Sequence, residues 1–132
     1  MEQRNLKIGR WQVEFYFAVD GYDIDILLDR LFDLGAGGRT MRQALELMDS
    51  DALNTGFTFS NAYDKVALVA VGPTSSAEEF LDTLVHEVHH LAVAIASELG
   101  VDLESETPAY LAGDSARALA RIICELGCSK CN

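Results

Sequence analysis

SAEEFLDTLVHEVHHLAVAIASELG, residues 76–100, is the stretch on which the reading of this chain turns. Its apolar residues Phe80, Leu81, Leu84, Val88, Leu91, Ile95 and Leu99 recur three and four apart. At about 100° per residue they project onto one side of an α-helix. Ser75 with Glu78, or Ser76 with Glu79, has the capping-box spacing that opens such a helix, and Gly100 is placed to close it. A long helix is therefore expected here, and all three histidines of the chain, His86, His89 and His90, fall within it.

The segments on either side supply the rest of the fold. Thr55 to Ser60 and Lys65 to Val71 are rich in Phe, Thr and Val and flank the turn-prone Asn61-Ala62-Tyr63-Asp64, which predicts an antiparallel hairpin. The second strand is apolar on both faces and so belongs inside a sheet; Gly72-Pro73 ends it. Nearer the N-terminus, Trp11, Val13, Phe15, Phe17 and Val19 alternate with Gln12, Glu14, Tyr16 and Ala18, the pattern of a strand with one strongly apolar face. Ile24, Leu27, Leu28, Leu31 and Phe32 then predict a helix that stops at Gly35-Ala36-Gly37-Gly38. Thr40 with Gln43 predicts a capping box for a second, short helix through Met41, Ala44, Leu45 and Met48, ending near Ser50. A last helix is expected from about Ser105 to Pro108 as far as Leu126, with Gly127 as its cap. No repeat or linker interrupts the pattern. The expectation is one α+β domain over residues 1–132, a small three-stranded sheet packed on about four helices.

Composition narrows the functions open to it. At 132 residues, 49% of them hydrophobic and 23% charged, the chain has the balance of a folded domain with a single core. A formal charge of −11, with only ten Lys and Arg, excludes the basic patch that nucleic-acid binding needs. The N-terminal stretch has no apolar signal core, and the longest apolar run, Val66 to Val71, is too short to cross a bilayer, so a soluble, cytoplasmic protein is expected. The three cysteines, Cys124, Cys128 and Cys131, lie together at the C-terminal end and cannot staple distant segments. Their C-x3-C-x2-C spacing is compatible with a metal cluster, but three thiols at the end of a helix, one buried and two loose, is the simpler reading.

The chemistry sits in His86-Glu87-Val88-His89-His90. Residues four apart on a helix stand one turn above each other, so His86 and His90 can present ring nitrogens to one zinc ion, about 2.0–2.1 Å from each. Glu87, beside the first of them, is placed to take a proton from water next to the ion as a general base. Histidines on an apolar face are commonly packing residues, but His86 and His90 project opposite the apolar face, in a stripe with Glu79, Asp82 and Ser97. His89 projects about 60° from His86 and reads as a supporting or surface residue rather than a ligand.

A catalytic zinc site takes three protein ligands and keeps one position open. Downstream the sequence offers Asp102, Glu104, Glu106 and Asp114, and no further histidine. Glu106-Thr107-Pro108-Ala109-Tyr110 resembles the E-x-x-A-Y signature of small single-domain gluzincin-like zinc metallopeptidases, including many carried by phages and mobile elements. The resemblance spans roughly residues 56–119. It implies a minimal zincin-like fold, with His86, His90 and Glu106 as zinc ligands, Glu87 as base, and a peptide or protein substrate aligned on an edge strand within Thr55 to Ser60. Pro108 departs from the pattern, since it favours Thr107 as N-cap and leaves Glu106 at the margin of the helix; Glu104 is the reserve ligand. Ala109, Gly113, Ala116 and Ala120 form a stripe of small residues beside Glu106, which predicts close approach of this helix to the histidine helix. Tyr110 is expected to pack rather than to stabilise an oxyanion, and Arg117 to pair with Asp114. A non-catalytic zinc-binding regulatory or interaction module is the alternative, because so small a chain has little surface to spare for a substrate cleft.

Overall fold

Two strands with apolar side chains on both faces set the architecture. The computed structural model describes residues 1–48 and 52–131, with side chains described as far as residue 125. In chain order the elements are β1 (Glu2–Ile8), β2 (Trp11–Phe17), α1 (Ile24–Asp33), α2 (Gly38–Met48), β3 (Gly56–Asn61), β4 (Val66–Val71), α3 (Ala77–Glu98), α4 (Thr107–Ala118) and α5 (Ala120–Cys131). The class is α+β, as expected. The sheet order is β1-β2-β4-β3, with β2 and β4 parallel and the two outer pairings antiparallel.

The alternation in β2 and β4 sends side chains to two cores. Val13, Phe15 and Phe17 of β2 and Ala67, Val69 and Val71 of β4 face Phe80, Leu84, Val88, Leu91 and Ile95 of α3, with Leu119 and Ile122 beyond them. On the opposite face, Tyr16, Leu68, Ala70 and Phe57 pack on Leu27 and Leu31 of α1 and Ala44 and Met48 of α2. Each fully buried large apolar side chain contributes about 1.5–3 kcal/mol, and the doubly covered β2–β4 pair draws on both cores. One polar network reinforces it. Arg30 of α1 grips both carboxylate oxygens of Glu14 at 3.0 and 2.7 Å, and Tyr16 Oη donates to Glu14 at 2.7 Å. Burial alone would raise the Glu14 carboxyl, but the hydrogen bonds and charge of Arg30, with the Tyr16 bond, outweigh it and hold the group below its ordinary value. Burial and the Glu14 carboxylate push the Tyr16 phenol up to about 12.

The structure departs from the sequence pattern in several places. A fourth strand, β1, pairs with β2 from Glu2↔Phe17 to Ile8↔Trp11. Only Leu6 and Ile8 of it are apolar, because an edge strand faces water and is commonly guarded by charge. There are five described helices rather than four: α4 ends at Leu119, a buried residue, and α5 restarts at Ala120. Gly127 lies within α5 instead of capping it, and Thr40 lies inside α2, which already begins at Gly38. The expected end of α2 near Ser50 lies outside the described residues. Val19 joins the α1/α2 core rather than continuing the β2 face, because Ala18 takes a left-handed backbone (φ 56°) that turns the chain. No described helix is long and apolar enough to cross a membrane.

Candidate active site

The histidine helix is fixed at both ends by its own sequence. Of the two possible capping boxes the fold uses Ser76, whose side chain accepts the Glu79 amide at 3.1 Å. Beyond Leu99, Gly100 adopts a left-handed φ of 72° that lets the chain leave the helix. The buried face of α3 runs through Phe80, Thr83, Leu84, Glu87, Val88, Leu91, Ala92, Ile95 and Ala96. Leu81 and Leu99, expected on that face, are about half exposed, since the face is centred on Leu84, Leu91 and Ile95. His86 and His90 are exposed on another side, as the projection requires.

The two histidines meet. Their Nε2 atoms lie 3.2 Å apart, with ring centroids 4.8 Å apart and planes at 76°. Two nitrogens at this separation either share a proton or share a cation. For ligand bonds of about 2.0–2.1 Å, a 3.2 Å separation corresponds to an angle of roughly 100–105° at the ion, close to the tetrahedral preference of zinc. The pair therefore fits two corners of a zinc site. Among the described residues, no group of three or more His, Cys, Asp or Glu side chains is gathered closely enough to hold a metal ion, so the structure does not itself supply a third corner.

Glu87 is only 6% exposed although it neighbours the exposed pair. The edge strand β3 explains this. Its alternation sends Phe57 and Phe59 to the α1/α2 core and leaves Gly56, Thr58 and Ser60 on the α3 side. Thr58 Oγ1 donates to Glu87 Oε1 at 2.7 Å and lies 3.3 Å from the Glu87 carbonyl oxygen. Gly56 leaves room for the rest of the carboxylate. A Cβ at that position would come within 2.7 Å of Glu87 Cγ and 2.8 Å of Oε2, closer than side chains tolerate. Thr58 and Gly56 were not singled out by motif. The signal for them was the row of small residues at alternate positions, Gly56-Thr58-Ser60, between Phe57 and Phe59.

A groove of about 450 Å³ runs along β3, walled by His86, Glu87 and His90 on one side and by Gln43 and Leu47 of α2 on the other. A second cavity of about 260 Å³ continues past Gly56 toward Asn54, Asp82 and Thr83, sharing His86 and Glu87 with the first. The site thus has a floor of strand backbone, a pair of imidazoles and one anchored carboxylate.

The downstream residues are placed elsewhere. Leu111 lines a cavity with Ile95 and Leu99, while Ala112 and Ala116 line one with Val85 and Val88, so α4 runs back along α3 from beyond its C-terminal end. Glu106 is the exposed N-cap of α4, with helical backbone (φ −71°, ψ −17°), and the structure does not bring it to His86 and His90. The α4 face that packs inward carries Pro108, Leu111, Ala112, Ser115 and Leu119. Ala109, Gly113, Ala116 and Ala120 are exposed, and a Cβ on Gly113 would meet nothing within 4 Å, so the small-residue stripe does not mediate close approach. Burial of Pro108 and Leu111 sets the rotation of the helix instead. Tyr110, on the outer face, is 68% exposed and does not pack.

Asp102 is engaged in its own turn, accepting the Glu104 amide at 2.9 Å, and Glu104 is exposed. Arg117 pairs with Asp114, as expected. His89 turns away from the pair toward the apolar groove between α3 and α4. Cys124 is exposed and free, and the side chains of Cys128 and Cys131 lie outside the described residues. Comparison with models of protein families, with curated proteins and with solved structures yields no match for this chain.

Proposed function

We propose that the chain is a zinc-dependent peptidase of minimal, gluzincin-like type that cleaves an extended peptide laid along β3. The observation that carries this reading is the Nε2 pair of His86 and His90 at 3.2 Å, beside a buried Glu87 held at the floor of a groove. His86 and His90 would hold the ion. Bound there, zinc supplies a Lewis acid for a carbonyl oxygen and favours ionisation of water at neutral pH.

Glu87 takes a proton from the attacking water and returns it to the leaving amine. Thr58 fixes which way that carboxylate points. The backbone of β3, a terminal strand of the sheet, offers hydrogen bonds to a substrate in extended conformation. Glu106 is the third ligand implied by the resemblance. To act as one, the exposed connection through residues 102–106 has to repack toward the groove when metal binds.

The test separates metal from catalysis. Elemental analysis of the full chain should give one zinc, lost in His86→Ala and His90→Ala and kept in His89→Ala. Glu106→Gln should weaken zinc affinity about 10- to 100-fold if it is a ligand. Glu87→Gln should keep the metal and lower peptide cleavage about 10²- to 10⁴-fold. A chain that takes up no zinc refutes the proposal. One that holds zinc but cleaves no peptide is the binding module instead.

A further inference from the structure

The cavity on the Asp82 side of the site is the feature that the proposed chemistry does not use. It is bounded by Asn54, Gly56, Asp82, Thr83, His86 and Glu87, and at about 260 Å³ it has room for one long side chain. From its chemistry we infer that it receives a basic side chain of the substrate, Lys or Arg, next to the bond to be cut. This rests on the proposed peptidase reading and names the class of peptide it accepts.

Three observations carry the inference. Asp82 stands four residues before His86, about 6 Å along the helix axis, which is about two residues of an extended chain at roughly 3.3 Å per residue. A substrate centred on the histidine pair therefore reaches Asp82 with a side chain close to the scissile bond. Second, the lining contains two carboxylates, Asp82 and Glu87, and no Lys or Arg. Glu87 already accepts from Thr58, whereas the side chain of Asp82 is exposed and makes no hydrogen bond or ion pair among the described residues.

Third, the wall facing Asp82 is built rather than incidental. Asn54 takes a left-handed backbone (φ 64°), and its side chain is held by Ser75 through Oδ1 accepting the Ser75 amide at 3.0 Å. Its backbone amide also donates to the Pro73 carbonyl at 2.9 Å. The loop before β3 is thereby tied to the N-terminal end of α3, which keeps the cavity open beside Gly56. The formal charge of −11 adds a field that favours approach of a cationic peptide.

The test uses zinc-loaded full-length Glu87→Gln protein, so that substrate is held and not consumed. Binding of a fluorescent, end-blocked heptapeptide with a central Lys is compared with that of the same peptide carrying Met there. The Lys peptide should bind about fivefold more tightly, an advantage in the range of an exposed ion pair that shrinks as salt is raised. Asp82→Asn should abolish the difference between the two peptides, and Asp82→Lys should invert it. Equal binding of the two peptides, or a Lys preference that survives Asp82→Asn, overturns the inference. Cleavage of a degenerate peptide mixture by the wild-type chain is the separate readout. An Asp82-dependent Lys preference without any cleavage overturns the peptidase reading and leaves the cation subsite standing. Cleavage without basic preference does the reverse.

Discussion

Thr58→Val tests the arrangement at its narrowest point. Valine keeps the shape of threonine and suits a strand at least as well, so the change removes little except the hydroxyl that donates to Glu87 Oε1 at 2.7 Å. Glu87 is 6% exposed, and water has limited access to replace the lost donor. Leaving a buried acceptor without its partner costs about 1–3 kcal/mol, which for a chain of this size lowers Tm by about 3–10 °C. Thr58→Ser restores the donor and should recover most of that loss. In a peptide-cleavage assay the same substitution acts on the orientation of the base, so kcat should fall about 10- to 100-fold for a loss of roughly 1.4–2.8 kcal/mol, with KM nearly unchanged. Zinc content should stay at the wild-type value, because neither histidine is touched. A Thr58→Val protein with unchanged Tm and unchanged kcat would show that the hydroxyl neither holds nor orients Glu87.

Two further predictions rest on neighbouring contacts. Gly56→Ala drives a Cβ to within 2.7–2.9 Å of the Glu87 side chain and should destabilise by about 1–3 kcal/mol in chemical denaturation. In a Glu87→Ala background the same change should cost much less, and an additive double mutant would refute the clash. For the Glu14–Arg30–Tyr16 network, the folded Glu14 carboxyl lies below its ordinary value of 4.5. Its stabilisation is therefore present above that pH and lost as pH falls through the lower folded value. The Tyr16 phenol, raised from 10.0 to about 12, contributes below pH 10 and loses its contribution between those values. Arg30→Met should flatten the acid limb of a Tm-versus-pH curve, and an unchanged acid limb would remove the network as its cause.

How much of this was legible in the sequence follows from where each signal originates. α3 was readable because its periodicity, its Ser76 cap and its Gly100 stop agree with one another, and the position of His86 and His90 off the apolar face came with it. The β3–β4 hairpin was readable for the same reason. β1 was not, because a solvent-facing edge strand has no need of sustained alternation, and Leu6 and Ile8 alone do not rise above a polar N-terminus. The break between α4 and α5 falls at Leu119, an apolar residue in phase with the helix on either side, so no glycine or proline announces it. The rotation of α4 was misread from a row of alanines and a glycine. Small residues fit a close interface and an exposed face equally well, and the burial of Pro108, Leu111 and Ser115 decides between them. Thr58 and Gly56 act across 29 and 31 positions of sequence, and only the pairing of β3 beside α3 gives them a meaning.

The placement of Glu87 also bears on why a site should exist here at all. Among the described residues it is the one buried carboxylate, on a helix whose other inward positions are Phe, Leu, Val, Ile, Ala and Thr. Thr58 donates to Oε1, and the rest of the carboxylate lies beside Gly56 where the groove and the second cavity meet it. An apolar residue of similar size would pack against Gly56 without needing a donor. Two adjacent turns then bring the Nε2 atoms of two imidazoles to 3.2 Å. Packing alone calls for neither feature. Their coincidence on one groove, with the helix caps and the β3 register fixing both, is what favours a chemical role over chance polarity. Departures from local packing rules of this kind are commonly found at functional sites.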